Sequence, residues 1–243
     1  MILTHKVHVL TKKEELDTVR LEGKVAVVLD VLFATSTMVT ALAHGASAVV
    51  PAAGEAAARA FAAGYAPGSF VIAGELYAET IEGFAPPTPL ALAGHALAGR
   101  TLIYSTTNGT VAINACAGAA HVYCGALLNG RAIVERIVDA HPDRTVLLVC
   151  SGSMNNFNLE DFYGAGYLVD LLAERIGERA DFSDAARAAR VLFRHCEPEA
   201  SLLECRVGKM MAGRGLEHEV RYAARLSALD VVPRLCDGKL LAD

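Results

Sequence analysis

The sequence predicts an α/β protein, with a mostly parallel or mixed sheet in a three-layer α/β/α arrangement. Three observations carry this. Short apolar runs alternate with helix-forming segments along most of the 243 residues, the pattern of a sheet covered by helices. The run at 25–32, VAVVLDVL, is almost wholly apolar, as a strand buried on both faces is. The composition, 53% hydrophobic and 20% charged, is that of a globular chain and excludes collagen, long coiled coil and wholesale disorder.

Residues 6–10 read as a short strand, and 25–32 as a buried one with Asp30 as its single charge. Residues 38–44 have helical character behind Thr35, Ser36 and Thr37. Residues 47–50 read as a strand ended by Pro51. EAAARAFAA at 55–63 is a strong helix former. The strand at 69–73 runs into Gly74 and Glu75. APPTP at 85–89 is irregular, because its prolines forbid a ladder or a helix interior. A strand at 100–104 leads into STTNGT at 105–110, a helix over 110–117 follows, and 121–124 is strand-like. Asn129 is placed to cap a helix over 131–140, whose Ile133, Val134, Ile137 and Val138 share one face. A strand at 145–150, a polar loop at 151–158 and a helix at 160–175 come next. Asn158 and Asp161 have the spacing of a capping box. From about residue 179 the chain turns more helical, with helices over 181–195 and 217–227 and a last strand at 229–232 closed by Pro233. No Ser/Gly/Pro linker divides it, so 1–243 reads as one α/β domain with a helical C-terminal segment.

Charge and motifs exclude several functions. There are 22 basic and 27 acidic residues and no basic block, which leaves no electrostatic footing for a nucleic-acid partner. No apolar stretch is long enough to span a bilayer. The opening MILTHKVHVLTKKEELD is too polar for a signal peptide, so the expected setting is cytoplasmic. The six cysteines form no CxxC pair and several lie in apolar runs; reduced, buried thiols fit better than zinc ligands. The histidines show no HxxxH spacing, and neither GxSxG nor a P-loop is present. The many small apolar residues are compatible with a homodimer.

In open α/β sheets, ligands bind beyond the carboxyl ends of strands. That picks out Asp30 with Thr35, Ser36 and Thr37, then Glu75, the 105–110 turn, and the 151–161 segment. Ser105, Thr106, Thr107, Asn108, Gly109 and Thr110 offer hydroxyls, an amide and a flexible glycine ahead of a helix. They suit a phosphate or other oxyanion, or equally a polar turn that caps a helix. Asp30 at the end of a buried strand is costly unless hydrogen-bonded or metal-bound. Glu160 and Asp161 open a helix, where the dipole alone favours acids. Together, Asp30, Glu75, Glu160 and Asp161 form a candidate oxygen ligand set for Mg²⁺.

These residues bring a family into view. The segments 25–40 (VAVVLDVLFATSTMVT), Gly74-Glu75, 106–110 (TTNGT), 125–129 (GALLN) and 149–161 (VCSGSMNNFNLED), with Gly164 and Gly166 after them, resemble the 2-phosphosulfolactate phosphatase (ComB-like) family. So do the N-terminal 8–31 stretch and the tail with Gly208, Gly215 and the closing DVVP at 230–233. The resemblance implies a layered α/β/α fold and Mg²⁺-dependent hydrolysis of 2-phosphosulfolactate to 3-sulfolactate and phosphate. Its substrate would be a small anionic phosphate ester. Asp30 and Glu75 would be catalytic and, with Glu160 and Asp161, would hold the metal. The hydroxyls at 35–37 and the 105–110 turn would take the phosphate.

The departures from the family pattern are specific. Phe33 and Leu76 stand where the family carries arginines, and Pro86-Pro87-Thr88-Pro89 where it has Gly-Asn-Ser-Pro. Cys205, Lys209 and Glu219 replace a Ser, an Arg and an Asp. A charge-assisted hydrogen bond is worth about 1.5–3 kcal/mol, and neither Phe nor Leu can supply one. Arg131, Arg206 and Lys209 are the candidates to compensate. The alternative is a family member with altered or lost catalysis that binds a small anionic metabolite.

Overall fold

The computed structural model describes residues 5–177 and 180–243, so residues 1–4 of the opening stretch and the predicted change of pattern near 179 lie outside the described residues. An eleven-stranded sheet is its spine. The strands are β1 (His5–Leu10), β2 (Val25–Leu29), β3 (Ala48–Ala52), β4 (Phe70–Leu76), β5 (Glu79–Thr80), β6 (Thr101–Ser105), β7 (His121–Gly125), β8 (Val146–Cys150), β9 (Ala180–Phe182), β10 (Pro233–Cys236) and β11 (Lys239–Ala242). Their order is β5-β4-β6-β3-β11-β10-β7-β2-β8-β1-β9. Two parallel blocks, β4-β6-β3 and β7-β2-β8-β1-β9, flank an antiparallel hairpin, β10-β11. The hairpin registers with each neighbour at one pair: Arg234 with Tyr123 of β7, and Leu240 with Val49 of β3.

The helices are α1 (Ala34–Ala43), α2 (Glu55–Ala62), α3 (Pro89–Ala93), α4 (Gly109–Ala115), α5 (Gly130–Ala140), α6 (Leu159–Ile176), α7 (Asp184–His195), α8 (Pro198–Glu204), α9 (Arg206–Gly213) and α10 (Glu217–Ala223). Side chains alternate along a strand, and this sorts the core into two faces. Val25, Val27 and Leu29 of β2 pack with Ile133, Leu168 and Ala189 of α5, α6 and α7. Ala26 and Val28 pack instead with Met38 of α1 and Ile113 of α4. Ala58 of α2 adds a smaller cluster with Val50 and Ile103. Helices therefore cover both faces, giving the three layers. Every residue of β2 is fully buried, which contributes about 1.5–3 kcal/mol for each large aliphatic side chain.

Several boundaries differ from the sequence reading. β2 stops at Leu29, and α1 starts at Ala34 rather than residue 38. The Thr35 and Ser36 hydroxyls donate to the carbonyls of Asp30 and Val31 at 2.9 and 2.8 Å, so the polar triplet winds the first turn of the helix. Pro51 lies inside β3, in register with Tyr104 of β6, and β11 pairs with that strand only at Val49. β4 carries Gly74 and Glu75 within it and ends at Leu76. Asn129 makes no side-chain cap: its amide donates to the carbonyls of Cys124 and Val231, and its Oδ1 accepts from Ala126 N. Residues 181–183 include the end of β9 and the cap of α7 rather than helix, and α10 ends at Ala223. The final strand is not at 229–232: Pro233 begins β10 instead of closing a strand. Asp237 and Gly238, both at positive φ, form the hairpin turn that leads to β11. The cysteines are all free, and four of the six are buried.

His141, after α5, is 7% exposed. It stacks on His121 with ring centroids 4.0 Å apart and meets the Tyr123 hydroxyl at 2.8 Å. Burial, then His121 and the nearby arginines, lower it to about 4. A histidine kept neutral in the fold but free to charge on unfolding stabilises above about pH 6.5. That contribution is lost as pH falls towards about 4. The Tm should therefore drop more steeply over this window in the unaltered protein than in His141→Gln. Parallel curves would refute the assignment.

Candidate active site

A cavity of about 450 Å³ opens at the carboxyl ends of β2, β4 and β6. Asp30 follows the last residue of β2, Glu75 is the penultimate residue of β4, and Thr106, Thr107 and Asn108 follow β6; all five line the cavity. Asp30 is 8% exposed. The approach of α4 to it depends on Gly109: a Cβ there would lie 2.7 Å from Asp30 Oδ2 and against the Ala34 methyl.

Glu75 is clamped by the turn beside it. Its Oε1 accepts from Thr107 N at 2.6 Å, and its Oε2 from Thr107 Oγ1 at 3.1 Å and Ala78 N at 2.6 Å. Thr106 and Thr110 bond reciprocally, each backbone N–H donating to the other's Oγ1 at 3.1 Å. Of the predicted 105–110 turn, Thr106, Thr107 and Asn108 reach the cavity, while Ser105, Gly109 and Thr110 are buried outside its wall. Much of the turn's hydroxyl chemistry is thus used in holding itself and Glu75. Thr35, Ser36 and Thr37 lie outside the wall as well, and the Thr37 hydroxyl donates to Pro87 O at 3.0 Å.

Glu160 and Asp161 are 2% and 0% exposed and lie outside the cavity lining. The predicted capping box is absent. Asn158 makes no side-chain cap, and its Oδ1 accepts from Arg206 Nη2 at 3.1 Å. Asp161 accepts from Val31 N at 2.9 Å, Ser151 Oγ at 3.0 Å and Gly152 N at 3.2 Å. It therefore ties the turn after β2 to the loop after β8, and so fixes the segment that carries Asp30.

The electrostatics are one-sided. Among the described residues, no basic side chain forms an ion pair with Asp30, Glu75, Glu160 or Asp161. Burial, then the charges of Glu75 and Glu160, push Asp30 up to about 7. Burial, with Asp30 and Glu160, raises Asp161. Burial raises Glu160, opposed by its contacts with Cys205 and Arg206. No set of three or more acidic, His or Cys side chains is arranged as a metal cluster among the described residues. The two carboxylates that face the cavity are Asp30 and Glu75.

Of the basic residues considered from the sequence, Arg206 lines the cavity, whereas Arg131 and Lys209 are exposed and outside it. Lys13, not singled out from the sequence, donates to Asn108 Oδ1 at 3.0 Å and to Ser151 O at 3.1 Å, bracing two of the site's loops. Phe33 is buried and forms part of the wall, while Leu76 is half exposed and does not. Pro86, Pro87 and Thr88 line the cavity. Glu219 anchors that segment, accepting from the Thr88 hydroxyl at 2.6 Å and from Leu90 N and Ala91 N at 2.8 Å. Cys205 caps α9, its Sγ accepting from Gly208 N at 3.1 Å. Sequence reasoning missed Val207, Met210, Met211 and Leu216, which also line the cavity. The i, i+3, i+4 spacing of the first three marks one helix face.

A family model described as 2-phosphosulpholactate phosphatase matches residues 10–238. A protein of Carboxydothermus hydrogenoformans named "Probable 2-phosphosulfolactate phosphatase" is 35% identical over 98% of this chain and 97% of its own. A protein of the same name from Symbiobacterium thermophilum is 34% identical over 91% of this chain and 95% of its own. Another, from Clostridium beijerinckii, is 27% identical over 98% and 100%.

Proposed function

Because the chain belongs to the 2-phosphosulfolactate phosphatase family, we propose that its cavity hydrolyses a small anionic phosphate monoester with Mg²⁺ as cofactor. The observation that carries this is the pair Asp30 and Glu75, two carboxylates facing one cavity with no cationic partner among the described residues. A buried acid such as Asp30 beside a second carboxylate is costly unless neutralised, and Mg²⁺ is commonly held by one or two carboxylates with waters and substrate phosphate. The residues present therefore fit the ion, with Asp30 and Glu75 as its holders. When bound, Mg²⁺ supplies Lewis-acid polarisation of a phosphoryl oxygen.

The chain's own groups do the positioning. Thr107 and Ala78 fix both oxygens of Glu75. Asp161 fixes the turn that carries Asp30. Arg206 at the cavity wall offers a guanidinium to the phosphate, and Asn108, its Oδ1 already engaged by Lys13, offers its amide N–H₂. Glu160 and Asp161 act from behind the wall by charge and hydrogen bonding. We place the protein in the cytoplasm, with a homodimer as its assembly and no nucleic-acid partner. Free cysteines and the acidic charge balance support that setting, and no described helix is long and apolar enough to cross a membrane.

The test is phosphate release from 2-phosphosulfolactate and other phosphate monoesters. EDTA should abolish release and raise no Tm, whereas Mg²⁺ should restore release and raise the Tm of the protein alone. Release that persists in EDTA would overturn the cofactor. Phe33 in the wall favours a second reading, binding of a small anion without turnover; stabilisation by such an ion with no release from any monoester would select it.

A further inference from the structure

The cavity wall has two chemistries. On the sheet side stand Asp30, Glu75, Thr106, Thr107 and Asn108, all at strand ends. The remaining lining is largely apolar: α9 presents Val207, Met210 and Met211 on one face, Leu216 follows, and Leu32 and Phe33 come from the turn before α1. Helical phase explains why Lys209 contributes nothing to that wall: it lies between Val207 and Met210 but points outward, fully on the exposed side. Among the described residues, Arg206 carries the only guanidinium or ammonium group in the lining.

We infer that this second wall is an apolar subsite, and that the preferred phosphate monoester carries a branched-aliphatic or aromatic group on its alcohol carbon. The inference rests on the phosphatase reading above. With the phosphate held at the strand ends, the rest of the substrate extends towards Phe33, Met210 and Leu216. With Arg206 engaged by the phosphate, a second permanent anion there would lose its water without gaining a further cationic partner among the described lining residues. An apolar group is instead transferred from water to carbon and sulfur surface, and methionines adapt to its shape. The volume of about 450 Å³ lies in the range of pockets that enclose whole organic ligands, well beyond the needs of a three-carbon ester.

The experiment compares benzyl phosphate with 2-phosphosulfolactate, in Mg²⁺, by kcat/KM, and measures the binding of benzylphosphonate by calorimetry. Benzyl phosphate should be favoured at least tenfold, and benzylphosphonate should bind at least tenfold more tightly than methylphosphonate. In Met210→Arg, and independently in Leu216→Arg, that preference should shrink or reverse towards 2-phosphosulfolactate. Turnover of both esters with 2-phosphosulfolactate equal or better would overturn the subsite while leaving the phosphatase reading intact. Absence of any release would overturn the phosphatase reading. The phosphonate pair would then decide the subsite, and equal binding of the two would reject it.

Discussion

Asp30→Asn is expected to cut kcat/KM by about 10²–10⁴-fold, the range for a lost acid–base or charge-bearing group at a reacting centre, while the fold survives or gains stability. The substitution is nearly isosteric. It removes a charge disfavoured by burial and then by Glu75 and Glu160. The sign of the pH dependence follows. An acid whose folded value is raised to about 7 destabilises the fold progressively as pH rises from its unfolded value near 4. Measured in EDTA, Asp30→Asn should therefore match the unaltered protein near pH 4 and exceed it in Tm at pH 8. Full turnover in the variant would dismiss Asp30 from the mechanism. A collapse in Tm at pH 8 would show that Asp30 is a structural anchor.

Gly109→Ala should damage both the fold and the activity, through the contact of α4 with Asp30. The new Cβ would press on Asp30 Oδ2 at 2.7 Å and on the Ala34 methyl, so either α4 or Asp30 must move. Overpacking of this kind costs about 1–3 kcal/mol, and a displacement of about 1 Å at a reacting group costs on the order of 10²-fold in rate. Gly213→Ala is the control, because a Cβ there meets nothing within 4 Å; it should leave both Tm and kcat/KM close to the unaltered values. Equal behaviour of the two variants would mean that the contact between α4 and Asp30 is not tight in solution.

What the sequence discloses depends on whether a residue acts through its neighbours in the chain or through distant ones. The buried strands were legible because a run such as VAVVL is apolar on both faces. Asp30 and Glu75 were legible as cavity-facing groups because they stand at the carboxyl ends of such runs. The sequence offered Asp161 as a helix-start acid or a metal ligand but not as a tie between loops, since its partners Val31, Ser151 and Gly152 come from segments that only the folded sheet brings together. Lys13 went unnoticed for the same reason: it reaches Asn108 and Ser151 across the sheet. The apolar face of α9 was present in the spacing of Val207, Met210 and Met211, but nothing local says that it closes a cavity. The hairpin turn was also present, in Asp237-Gly238, one short strand after a proline that reads as a stop and here serves as a start.

The position of that hairpin has a consequence for how the site comes into being. β10 and β11 are the last two strands in chain order, yet they lie in the middle of the sheet, between β7 and β3. Glu75 and Thr107 belong to the block on one side, Asp30 and Asp161 to the block on the other. Among the described residues, strand pairing runs between the two blocks only through the hairpin, by the pairs at Tyr123 and Val49. Such long-range closure is slow compared with local pairing. The strands that carry the two sides of the candidate site therefore become one sheet only when the end of the chain is added, and the hairpin is the keystone of that sheet.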